Sequence, residues 1–334
     1  MHLFPRVGVS RRLPNRTASC GLKETMRSEN HTSQSGAAAP EALRDLLVEM
    51  NDLKRVRSAG RTGSIAERLF AQGWGRLTGG ASPDDVALDI TATTLAATRL
   101  CDLDAAFLTA AGLSEEAASA VLIAGFDAMT VELDPDLRAH LRARLAPRPA
   151  AGFGSLPAFV AALAQQPRAG VTCPGRARIL LEPPENHAEH CLIVAVYGVC
   201  LSPFYRADPG TVFLAAMAHH FHNAAMPDAG FTGEMLLGDH LGPIMATTTA
   251  WALAELDEPL RTHVERARAV LPDDATGEGR AFHAADCIDR VLQIAQHLRG
   301  ASTTMGMVLD EWELVHAGPV KGFHDRVLTD MRIP

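Results

Sequence analysis

Residues 185–201 read ENHAEHCLIVAVYGVCL, a polar start rich in histidine followed by an unbroken apolar run from Cys191 to Leu201. A segment apolar on every side, yet well short of the roughly 18 residues that span a bilayer, predicts a helix buried in a protein core. Two later segments share its plan. Thr211 to Ala218 is apolar and runs straight into His219-His220-Phe221-His222-Asn223, which begins 29 residues after His190. Ala284 to Leu298 has helical spacing and carries Asp286 near its start.

The rest of the chain agrees with a helical reading. It is 47% hydrophobic, with only two Tyr and three Trp among 334 residues, and has few alternating β-branched runs. That composition predicts an all-α protein, and the length allows one large domain or two. Residues 1–39, rich in Arg, Ser, Asn and Thr without helical periodicity, are expected to be a disordered extension. An Arg- and Ser-rich, acid-poor start has the character of a transit peptide, but Met26 opens an ordinary beginning and an over-long gene start explains it equally well. Residues 40–165 form a helical N-terminal region of unassigned role, with Ser82-Pro83-Asp84-Asp85 and Ser114-Glu115-Glu116 as helix starts. The polar, Pro- and Gly-bearing stretch before Gly175 predicts a boundary, with a metal-binding helical domain over 175–300 and a C-terminal extension over 301–334.

Charge and cysteines exclude several classes. The net charge is −8 with a pI near 5.9, so no bulk basic surface exists for nucleic acid or an anionic membrane. The first 39 residues carry six Arg or Lys against two Glu, a net +4 that leaves −12 for the remainder. Six cysteines without CxxC or disulfide-like spacing fit a reduced cytoplasmic interior. Neither a P-loop nor a dinucleotide fingerprint occurs. The expected partner is a small molecule, in a monomer or a homo-oligomer.

Antiparallel helices joined by short loops can bring His190, His219, His220 and Asp286 together in a bundle core, where inward-facing His and Asp chelate a divalent ion. Imidazole accepts Zn, Fe, Ni or Mn, and a carboxylate tilts the set toward Mg or Mn. Neighbouring His219 and His220 cannot point the same way on a regular helix, which would leave one for the ion and the other for a second ion or the substrate.

The three blocks together resemble the HD-domain superfamily, within it the branch of 5'-deoxynucleotidase-like phosphohydrolases, over residues 185–293. Glu185 to Ala195 is similar to that family's first block and places His190 at the first metal ligand. Ala216 to Asp228 is similar to its central block, and Ala285 to Gln293 to its closing block, with Asp286 as the last ligand. The resemblance implies an HD-type helical bundle holding Mn, Fe, Co, Zn or Mg, and hydrolysis of phosphate monoesters, nucleotides among them. In such an enzyme the metal polarises the phosphoryl oxygen and activates water while a nearby carboxyl moves protons.

This chain departs from that pattern where the chemistry sits. The family's aspartate is His220 here, its catalytic glutamate is Asn223, and the arginine often found ahead of the first ligand is Pro183, while Asp228 is retained. Asn223 cannot accept a proton at neutral pH, so His222 or Asp228 would carry it. Further along, His240 and His263 resemble the additional ligands of the dinuclear branch, which implies an alternative as an iron oxygenase. A third reading is a catalytically depleted HD-fold protein that binds a ligand or partner. His187 and His283 are secondary candidates, and Gly230 to Glu234 reads as a loop after the central block, where Thr232 or Glu234 would touch substrate.

Overall fold

The computed structural model describes residues 40–148, 152–175, 177–302, 304, 306–307 and 321–332. The disorder expected for 1–39 lies outside the described residues. The rest is helical: α1 Arg44–Met50, α2 Ile65–Thr78, α3 Pro83–Leu100, α4 Ala105–Ala110, α5 Glu115–Asp127, α6 Pro135–Ala143 and α7 Ala158–Gln165 precede the first histidine block. Then come α8 His187–Tyr205, α9 Pro209–Ala218, α10 Gly230–Leu237, α11 Leu241–Leu253, α12 Leu260–Arg268, α13 Gly277–Ser302 and α14 Lys321–Met331. No strand occurs among the described residues, only isolated antiparallel bridges between Pro167 and Asn186 and between Val171 and Ile179. The all-α expectation holds.

Helix starts follow the capping chemistry expected of them. Ser82 accepts a hydrogen bond from Asp85 N with Pro83 in the first turn, and Ser114 accepts one from Ala117 N. Ser64, Asp104, Asp134 and Asp208 cap α2, α4, α6 and α9 in the same way. Each such cap satisfies an otherwise orphaned N–H and stabilises its helix by about 1 kcal/mol.

α8 is the pillar of the structure. Every residue from His187 to Ser202 is buried, and the helix packs against α2, α3, α7, α9 and α13. By length and composition alone it could cross a membrane, yet protein surrounds it. One apolar cluster, running from Leu43 to Ala285, takes side chains from both the helices before residue 165 and those after 175. Tyr197 of α8, fully buried, ties the two stretches together by donating its hydroxyl to Leu47 O.

α9 stops one residue before the paired histidines, for identifiable reasons. Arg268 of α12 donates to Ala218 O, occupying the helix's last carbonyl, and its guanidinium lies 5.7 Å from the ring of Phe221. Phe221 is fully buried, with ring centroids 4.5 Å from Phe159 and 5.5 Å from Trp74. The chain therefore turns at His220 (φ −98°, ψ 22°) into a 3-10 helix, Phe221–Ala224.

Gly230 to Glu234, expected as a loop, is instead the opening of α10. The two glycines mimic a loop signal for a packing reason. Gly230 has φ +66°, and a Cβ there would meet Thr172 Oγ1 at 2.7 Å, so glycine is required by both conformation and space.

Candidate metal centre

Helix α8 is fixed at its start by a reciprocal capping box. Asn186 Oδ1 accepts from Glu189 N, and Glu189 Oε2 accepts from Asn186 N, both at 2.9 Å. This sets the register that turns His190, one turn in, toward α9 and α13. His190 Nε2 lies 3.1 Å from His219 Nε2 and 3.2 Å from Asp286 Oδ1. One ring nitrogen from each of His190, His219 and His220 falls within 4.8 Å of the others.

The expectation that His219 and His220 must diverge is corrected by the backbone. Because α9 has ended and His220 occupies the bridge region, both rings sit on the same side, their centroids 4.2 Å apart and 5.0 and 5.1 Å from that of His190.

Each of the three imidazoles has its Nδ1 engaged by an oxygen. His190 Nδ1 donates to the Asp289 carboxylate at 2.7 Å, and His219 Nδ1 donates to Ala216 O at 2.6 Å. His220 Nδ1 donates to Asn223 Oδ1 at 2.7 Å, and the amide orientation follows because Asn223 Nδ2 donates to Met226 O. Fixing Nδ1–H leaves Nε2 as the lone-pair nitrogen on all three rings. The lone pairs of His190 and His219 then face each other at 3.1 Å, with the Asp286 carboxylate beside them. Such a meeting of acceptors is repulsive unless a proton or a metal ion lies among them, so the donor set fits a metal ion in place of that proton.

Electrostatics point the same way. Burial, then the charges of neighbouring imidazoles, hold His219 and His220 well below the ordinary histidine value, so both are neutral and able to ligate at pH 7. Burial raises the Asp286 carboxyl, but without an ion a proton on His190 Nε2 bridges to it, and that hydrogen bond and charge draw it well below the usual range. His219 and His220 are half-buried and the Asp286 side chain is 22% exposed, whereas His190 is sealed. The centre is open on one side only.

A second group, Glu185, His190 and Asp289, also brings ligand atoms within 4.8 Å, but a cation of the chain already fills it. Lys54 Nζ lies 2.5 Å from both Glu185 Oε1 and Asp289 Oδ1. Asn51 Nδ2 adds a bond to Asp289 at 2.9 Å. Against the raising effect of burial, Lys54 and then Arg168 bring Glu185 down to about 2. This ammonium-carboxylate layer orients His190 from behind.

The remaining expected site residues separate into two sets. His222 and Asn223 are buried in the 3-10 turn, the ring of His222 5.4 Å from that of His220. Asp228 Oδ2 accepts from Ala169 N, Oδ1 accepts from Gly230 N, each at 2.8 Å, and Oδ2 stands 3.6 Å from His187 Nε2. His187, whose ring is 4.8 Å from that of His220, thus belongs with the centre. His240, in contrast, is exposed on the turn between α10 and α11 and is not among the residues whose ligand atoms converge. His263 is exposed on α12, and His283 meets the Phe282 ring edge-to-face.

No protein family, curated protein or solved structure compared with this chain matches it.

Lys54 and Arg168, and the roles of Glu185 and Asp289, escaped the sequence reading. Asp289 follows Asp286 by one helical turn, the spacing that shares a face, and Glu185 stands within the first quoted block. Lys54 carried no comparable signal, since its partners lie 131 and 235 residues away.

Two expected outcomes arise here. Asn223→Ala frees the His220 ring to rotate and change tautomer, and metal affinity falls about 10- to 100-fold, measured by competition with a chromogenic chelator; an unchanged affinity would remove Asn223 from the centre. In metal-free protein, burial first of all holds His187 and His222 at about 4. Both folded and unfolded states are neutral above about 6.5, so stability is flat there. Between about 6.5 and 4 the unfolded chain takes up protons that the folded one refuses, so the unfolding free energy measured by urea titration drops, by up to about 2–3 kcal/mol per histidine. His222→Gln makes that slope shallower, and an equally steep profile in the variant argues against the assignment.

Proposed function

We propose that this chain is a metal-dependent hydrolase of phosphate monoesters, with an HD-type arrangement of ligands on a helical core. The observation that carries the reading is the convergence of ring nitrogens from His190, His219 and His220 within 4.8 Å, with Asp286 Oδ1 3.2 Å from His190 Nε2 and each ring held from behind at Nδ1. Three nitrogens and one carboxylate favour Mn, Fe, Co or Zn over Mg. When bound, such an ion supplies Lewis-acid activation of a phosphoryl oxygen and a lowered pKa for bound water.

The chain's own residues divide the remaining tasks. His190, His219, His220 and Asp286 would hold the ion, and the seal behind His190 excludes water from that side. Asn223, at the place where the resemblance puts a catalytic glutamate, has both its amide atoms engaged and serves His220 instead of moving a proton. Proton transfer then falls to Asp228, whose carboxylate is held by two backbone N–H groups beside His187 Nε2. His222, held at about 4 mainly by burial, is a weak base.

The alternative as a dinuclear iron oxygenase draws on His220, His240 and the absent glutamate; His220 lies in the cluster but His240, the extra ligand a second ion needs, is exposed and outside it, which favours the single-ion hydrolase. Incubating protein loaded separately with Mn, Fe, Co or Zn with a panel of nucleoside monophosphates tests it. Phosphate release that is abolished in Asp228→Asn with metal content intact is the expected result. Silence across all metals and substrates, in protein that holds its ion, would leave a metal-bearing binding protein.

A further inference from the structure

The segment before the first histidine block folds back on it. Arg168 N donates to Glu185 O at 2.8 Å and His187 N to Gln166 O at 3.2 Å, while Ala169 N is bonded to Asp228. Arg168 is thereby suspended between the start of α8 and the Asp228 carboxylate. Its side chain is 21% exposed, whereas arginines such as Arg68, Arg76 and Arg138 are held tightly by a carboxylate.

Arg168 lacks one. The nearest acid atom is Glu185 Oε2, at 3.8 Å from Nε, and the other oxygen of that carboxylate is taken by Lys54 at 2.5 Å. Arg168 Nη1 is buried and has no hydrogen-bond partner among the described residues. A buried guanidinium N–H without an acceptor carries a penalty of about 1–3 kcal/mol or more, and native structures leave such donors where a ligand supplies the acceptor. The neighbour of Arg168, Ala169, binds Asp228, which stands 3.6 Å from His187 Nε2, and the His187 ring is 4.8 Å from that of His220, so the segment carrying Arg168 borders the centre.

The charges around it define what it would accept. Lys54 and Arg168 together offset Glu185 and Asp289, so the positive charge on the open side is the half of a divalent ion that Asp286 leaves uncancelled, and what Arg168 adds there is a directed donor. Planar guanidinium matches the oxygens of a tetrahedral phosphoryl group and stays charged at every working pH.

We propose that Arg168 is the anion-recognising residue of this centre, donating its unpaired N–H to an oxygen of a dianionic phosphate monoester. It comes from the segment ahead of α8 and lies outside all three histidine and aspartate blocks. The inference rests on the metal-dependent reading above, and its test separates the two.

Inorganic phosphate is titrated calorimetrically into full-length metal-loaded protein, with metal quantified in the same samples, for the wild type, Arg168→Gln and Arg168→Lys. The expected result is phosphate binding weakened at least tenfold in Arg168→Gln at unchanged metal content. Arg168→Lys recovers part of the loss, because charge is kept and the planar fork is not. Equal phosphate affinity in wild type and Arg168→Gln overturns the inference. Should Arg168→Gln fail to fold, Arg168→Lys decides: binding weaker than wild type supports the assignment and equal binding overturns it. If no protein holds metal, the functional reading fails by itself, and the titration still rules on the arginine. Phosphate uptake by the wild type but not the variants upholds it, and no uptake by the wild type overturns it.

Discussion

Protein purified without added metal or chelator should carry close to one transition-metal ion per chain by elemental analysis, and the His219→Ala/Asp286→Ala variant should carry none. The expected loss is large because the two substitutions remove half of the converging donors and leave His190 and His220 with no carboxylate to offset the ion's charge. His190 keeps its Asp289 bond in this variant, so its core environment is undisturbed and the helical circular dichroism should remain. Two irons per chain would instead revive the dinuclear oxygenase. Absence of metal from the wild type, even after reloading, would leave the imidazole cluster as a neutral packing feature.

The second large effect is on stability. Lys54→Met is expected to lower the unfolding free energy by about 3–5 kcal/mol, the range for removing one partner of a buried ion pair. Lys54, Glu185 and Asp289 are all essentially inaccessible, so the substitution strands two carboxylates in the core with no cation between them. Urea denaturation gives the measurement. Adding Glu185→Gln and Asp289→Asn to Lys54→Met removes the stranded charges and should recover much of the loss. A single variant within about 1 kcal/mol of the wild type would mean that water reaches this layer and screens it.

These two expectations rest on residues that the sequence revealed unequally. The apolar run after His190, the paired histidines and Asp286 stand out because a buried helix writes a continuous pattern, and polar ligands interrupt it at its ends. The caps at Ser82 and Ser114 were legible for the similar reason that capping is local chemistry. What could not be read was anything fixed by tertiary closure. Lys54 looks like any surface lysine until α8 and α13 close over it. The shared orientation of His219 and His220 depends on α9 ending at Ala218, which depends on Arg268, fifty residues on. The loop expected at Gly230 failed because glycine there answers a close approach by Thr172, a contact between segments distant in sequence. Asn223, read as the loss of a base, acquires a role only once the ring it holds can be seen.

The one-sided opening of the centre has a consequence for the order of events. His190 belongs to a helix buried along its whole inner length, and the Lys54 layer closes the space behind it, so neither ion nor substrate can arrive from that direction. Both must pass the face formed by His219, His220 and Asp286. An ion therefore has to be seated before an anion can settle in front of it, and a settled anion obstructs the ion's only exit. Occupancy by phosphate should consequently slow the escape of metal to a chelator, a kinetic trap that arises from where the opening lies and requires no moving part.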